Sequence, residues 1–186
     1  MSKLDKLRKG FDKKGIVTQM NEPTEWICSG NAAMNFRLTG RYDVGIPNRR
    51  TLLLWGESGT GKTFLASNMV KNAQDKGYVV IYVDSEDSIS EDSMTKIGID
   101  MSEDVFIPVL VDTIEEATAA ISEVFSTMDE DDKFILVIDS LAGLMTEKEE
   151  GEFEKGIAKG DQGQIAKRLK LLVKNINKKI ADHDAF

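Results

Sequence analysis

Gly56-Glu57-Ser58-Gly59-Thr60-Gly61-Lys62-Thr63 constrains this chain more than any other feature, because it meets every position of the pattern G-x-x-x-x-G-K-[ST]. The flanks agree with the motif. Thr51-Leu52-Leu53-Leu54-Trp55 ahead of it reads as a buried strand, and residues 64–70 behind it read as a helix. A loop so placed opens a helix N-terminus, where unpaired N–H groups and the helix dipole face an anion. The glycines let backbone approach phosphates, Lys62 offers a point charge to the terminal phosphates, and the Thr63 hydroxyl can ligate Mg²⁺. Gly56, Glu57, Ser58, Gly59, Thr60, Gly61, Lys62 and Thr63 are therefore the expected cradle for a nucleoside triphosphate with Mg²⁺.

From residue 51 onward short apolar runs alternate with amphipathic segments, the texture of a parallel sheet covered by helices. The expected strands are 51–55, 78–83, 105–109 and 134–138. Ile114, Ala117, Ile121, Val124, Phe125 and Met128 recur at spacings of three and four, as do Ile165, Leu169, Leu172, Val173, Ile176 and Ile180, so each set builds one apolar helix face. The fold class is α/β, of the P-loop NTPase kind. Residues 1–30 read as a helical arm and linker, with Leu4, Leu7 and Phe11 at helical spacing, and residues 31–186 as the core. With 186 residues, 41% of them hydrophobic, the chain can bury one such core.

Phosphoryl chemistry needs the metal held from a second side, and Phe134-Ile135-Leu136-Val137-Ile138-Asp139-Ser140 supplies an apolar strand ending in a carboxylate. Asp139 is the expected metal-shell residue. Val80-Ile81-Tyr82-Val83-Asp84-Ser85-Glu86 ends a second strand with carboxylates, and Glu86 there could orient an attacking water; Asp84 in that role, or a purely structural one, is the alternative. The net charge of −8 argues against a wholly basic nucleic-acid surface. Lysines and arginines nevertheless gather at residues 3–14 and 167–179, with acid between them. One cysteine, Cys28, and one histidine, His183, exclude an internal disulfide and a zinc site of several Cys or His ligands. No apolar run approaches the roughly 20 residues that span a bilayer, so no membrane role is expected.

Residues 56–63, Asp84-Ser85-Glu86 and Val137-Ile138-Asp139-Ser140-Leu141-Ala142 together resemble the RecA family, in particular the recombinases of T4-like phages, and Arg41-Tyr42-Asp43-Val44-Gly45-Ile46-Pro47 resembles its approach to the phosphate loop. The likeness runs from about Gly30 onward. It implies a RecA-like core, an ATPase that uses ATP and Mg²⁺, forms filaments on single-stranded DNA and pairs that strand with double-stranded DNA in the cytoplasm, that of the host cell for a viral protein. By that resemblance Lys62 and Glu86 are catalytic, and Thr63 and Asp139 hold Mg²⁺. A mobile DNA-binding loop is expected at about 147–163, with Lys155 and Lys159 in it and Arg168 near a DNA-contacting arginine beyond it. Six acids against three lysines between 147 and 161 keep a merely solvated loop open as the alternative.

Ser90-Glu91-Asp92-Ser93-Met94 stands where bacterial relatives stack an aromatic on adenine, so base selectivity has no support. The family sheet sets a further strand between the Asp139 strand and the phosphate-loop strand, and the sequence stops at Ala185-Phe186 as that strand would begin. The expectation is an N-terminal part of a recombinase, weak as an ATPase alone, with a second chain as a candidate source of the rest. Two other readings are a hexameric helicase-like P-loop ATPase and a non-catalytic nucleotide-binding assembly module.

Overall fold

Period-two sorting of side chains organises the core. The computed structural model describes residues 2–15, 22–156 and 162–186. Its main sheet has three parallel strands, β3 (Val79–Asp84) in the middle, β4 (Phe106–Leu110) on one side and β5 (Phe134–Asp139) on the other. Tyr82 lies opposite Val137 and Asp84 opposite Asp139. These are three of the four expected strands, each shifted by no more than one residue at either end.

Val80, Tyr82, Phe106 and Ile135 turn to one face, where Met69, Val70 and Ala73 of α3 (Lys62–Gln74) and Met94 of α4 (Glu91–Ile97) cover them. Ile81, Val83 and Phe134 turn to the other, against Ile114, Ala117, Ile121 and Phe125 of α5 (Ile114–Thr127) and Leu172, Ile176 and Ile180 of α7 (Gln162–Ile180). Each such aliphatic side chain fully buried contributes about 1.5 to 3 kcal/mol, so the two faces carry the fold. A capping box between Thr113 and Glu116 starts α5 where its apolar face begins.

The fourth expected strand does not form. Residues 51–55 run without strand pairing, and Leu53 and Trp55 are 73% and 93% exposed. The reason is the neighbour that a strand requires. The Phe186 N–H donates to the Phe134 carbonyl, the Leu136 N–H donates to the Phe186 carbonyl, and on the far side the Arg49 N–H donates to the Ala185 carbonyl. Ala185 and Phe186 thus lie between β5 and the approach to the phosphate loop, but among the described residues nothing continues that row alongside 51–55. Backbone without a partner row has no ladder to join.

Upstream, β1 (Trp26–Ile27) pairs antiparallel with β2 (Ile46–Pro47) around α2 (Ala32–Thr39). Ile27 is fully buried in the core, so contact with it begins before residue 31. Asn48 straps this hairpin: its side-chain oxygen accepts the N–H groups of Thr24 and Glu25, and its own N–H donates to the Glu25 carbonyl. Glu25 accepts a 2.6 Å hydrogen bond from the Tyr78 hydroxyl and ion-pairs with Lys133 and Lys76. The arm α1 (Lys3–Asp12) is a helix, as its spacing predicts, yet it buries no residue.

Candidate functional site

The phosphate loop keeps its predicted place at the head of α3 even without the strand before it. Gly61 is the helix N-cap at φ +89° and Gly59 sits at φ +76°, left-handed positions that strain any residue with a Cβ. The Thr60 hydroxyl donates to the Glu57 carbonyl at 2.8 Å and tightens the turn. An open cavity of about 380 Å³ lies over it, lined by Leu54, Trp55, Gly56, Thr60, Gly61, Lys62 and Leu65. The Lys62 ammonium donates to the carbonyls of Gly56 at 3.1 Å and Glu57 at 3.0 Å. A phosphate oxygen competes well for it, because an ammonium binds an anion more strongly than a neutral carbonyl.

Thr63 and Asp139, 76 residues apart, meet: the Thr63 hydroxyl donates to Asp139 Oδ2 at 2.7 Å. The same oxygen accepts the Tyr82 hydroxyl at 3.0 Å. Burial, then the neighbouring Asp139 charge, push the Tyr82 phenol well above its ordinary range, so it stays a donor at any working pH. One hydroxyl and one carboxylate form a hard-oxygen donor pair that fits Mg²⁺, which keeps several waters and takes one or two protein oxygens beside the phosphates. No group of three His, Cys, Asp or Glu residues gathers into an all-protein cage among the described residues.

Asp84 and Glu86 divide their labour. Asp84 is 1% exposed and its carboxylate accepts the N–H groups of Glu86, Ser88 and Ile89, which shapes the loop after β3. Glu86 projects from that loop, and its Oε1 accepts the Ser140 hydroxyl at 2.5 Å. Ser85 and Ser140 bond to each other twice, Ser85 Oγ to the Ser140 carbonyl at 2.6 Å and the Ser140 N–H to Ser85 Oγ at 3.0 Å. Gly143 packs so close that a Cβ there would lie 2.6 Å from Ser85 Oγ and 3.2 Å from Glu86 Cγ. Sequence reasoning missed Tyr82, Ser85, Ser140 and Gly143 as site residues. The one signal available was alternation along β3, which sets Tyr82 on the face of Asp84.

A family model for the RecA N-terminal domain matches residues 1–183 of the chain. The chain belongs to the RecA family. It is similar to Protein RecA of Streptomyces coelicolor, 34% identical over 144 residues that make up 75% of this chain and 36% of the relative. Protein RecA of Corynebacterium efficiens is 32% identical over 81% of the chain and 37% of the relative, and that of Rippkaea orientalis 27% identical over 94% and 49%. The chain thus spans a third to a half of the RecA relatives it matches.

The region expected as a DNA-binding loop in a RecA chain departs from that expectation at its start. Residues 147–154 form a helix, α6 (Glu147–Glu154), because Thr146 and Glu149 make a capping box and three acids in its first turn favour the N-terminal end of the dipole. Lys155 is exposed at its C-cap, and Lys159 lies outside the described residues. Arg168 ion-pairs with Glu115, whose Oε2 also accepts the Glu147 N–H, so this arginine ties α7 to α5 at the start of α6. No helix among the described residues is long and apolar enough to cross a membrane.

Proposed function

We propose that the chain is the ATP-binding core of a DNA strand-exchange recombinase, a DNA-dependent ATPase that forms filaments on single-stranded DNA, of a kind with the T4-like phage recombinases it resembles and with the cytoplasm as its place of action. The observation that carries this reading is the 2.7 Å bond from Thr63 to Asp139, which joins the phosphate loop to the end of a neighbouring strand as a nucleotide–metal site needs. Lys62 leaves the Gly56 and Glu57 carbonyls to bind the terminal phosphates. Thr63 and Asp139 would hold Mg²⁺, which would supply positive charge to offset that of the phosphates.

Glu86 takes the proton of the attacking water, and Ser140 holds its carboxylate in place by the 2.5 Å bond. Lys155, Lys159 and Arg168 serve as DNA contacts, for which Arg168 exchanges Glu115 for a phosphate of the strand. ATP hydrolysis measured with and without single-stranded DNA tests the reading. Glu86→Gln should cut DNA-stimulated turnover by about 100-fold or more while nucleotide affinity holds. Turnover that ignores both the DNA and the substitution would refute it, and light scattering with a non-hydrolysable nucleotide checks the filament.

A further inference from the structure

Packing alone does not explain why β3 carries a tyrosine two residues before Asp84. The Tyr82 ring is fully buried and stacks on Phe106 with centroids 6.1 Å apart, work that a phenylalanine would do equally well. A buried phenol needs a partner for its O–H, and the partner is Asp139 Oδ2 at 3.0 Å. The register fixes the meeting: Tyr82 lies opposite Val137, so Asp139 is its diagonal neighbour on the same face. Because β3 is the central strand, the hydroxyl has little freedom to point elsewhere.

We propose that Tyr82 is a positioning residue for the Mg²⁺ shell: its hydroxyl and that of Thr63 clamp Oδ2 of Asp139, so that the carboxylate is oriented before nucleotide arrives and Oδ1 is the oxygen offered to the metal's shell. The inference rests on the ATP and Mg²⁺ reading above and deepens it. Groups that orient a metal-binding carboxylate from behind set its affinity for the ion, and their removal typically costs about 10- to 100-fold. Tyr82 adds this second donor from the core, while Thr63 supplies the first from the phosphate loop.

The experiment is a Mg²⁺ titration of the chain with a fluorescent ATP analogue, repeated in EDTA. Tyr82→Phe should raise the half-saturating Mg²⁺ concentration by about 10-fold or more and leave binding in EDTA unchanged. Val80→Ala is the control, since Val80 is fully buried on the same face of the same strand but lies opposite Ile135, away from Asp139. It should lower stability and leave the Mg²⁺ response alone. A Tyr82→Phe titration that overlays the wild type overturns the proposal by itself. So does an equal shift in Val80→Ala, or a loss of binding in EDTA as well as in Mg²⁺. A wild-type chain indifferent to Mg²⁺ overturns the proposal together with the functional reading beneath it.

Discussion

Glu25 anchors the hairpin that leads into the phosphate loop, and its energetics can be worked out. Its carboxyl is lowered from 4.5 to about 2, first by the Tyr78 hydroxyl, against burial as the next-largest effect, and then by Lys133 and Lys76. At about 1.36 kcal/mol per tenfold change in proton affinity, that drop corresponds to about 3 kcal/mol. The side chain is 25% exposed and both lysines more so, so solvent screening brings the expected contribution to about 2 kcal/mol. The folded-state value is depressed, so the contribution is fully present above the unfolded value near 4.5 and disappears as pH falls towards about 2. Urea unfolding of Glu25→Gln beside the wild type reads this directly. The midpoints should differ by about 1 M at neutral pH, given a slope of about 2 kcal/mol per M, and converge between pH 4.5 and about 2. Equal midpoints at pH 7, or a gap that stays constant down to pH 3, would refute the account.

Gly143→Ala would set a methyl group 2.6 Å from Ser85 Oγ and 3.1 Å from the Ser85 carbonyl, so the turn that holds Glu86 must shift. Hydrolysis should fall by about 10- to 100-fold with nucleotide affinity changed much less, and parallel losses in both would point to a fault in folding instead. Ile121→Ala empties a site 3% exposed between α5 and the sheet and should cost about 2 to 5 kcal/mol, seen as a lower urea midpoint. A loss below about 1 kcal/mol would mean that this face of the core closes up around the gap.

The phosphate loop was legible because its geometry is local. Eight consecutive residues carry the glycines, the lysine and the threonine, and the α3 N-terminus follows at Lys62 whether or not the strand before it finds a partner. The strands β3, β4 and β5 were legible because an apolar run bounded by turns has few other ways to bury itself. Residues 51–55 show the same pattern and remain without strand pairing and, apart from half-buried Leu54, exposed. Strand formation is a property of two rows of backbone, and one sequence segment states only one of them. Residues 147–154 erred the other way: the family resemblance suggested a loop there, whereas the capping box from Thr146 to Glu149 makes a helix of them.

By itself the sequence determined the family, the anion cradle and the carboxylates that end two strands, because each is written in contiguous residues. Only the tertiary structure decided which groups face one another. Tyr82 reaches Asp139 across 57 positions, Ser140 reaches Glu86 across 54, and Arg168 meets Glu115 from another helix. The physical reason is that register and helix packing choose side-chain neighbours, and both are set by the whole core at once, not by any stretch of chain read alone.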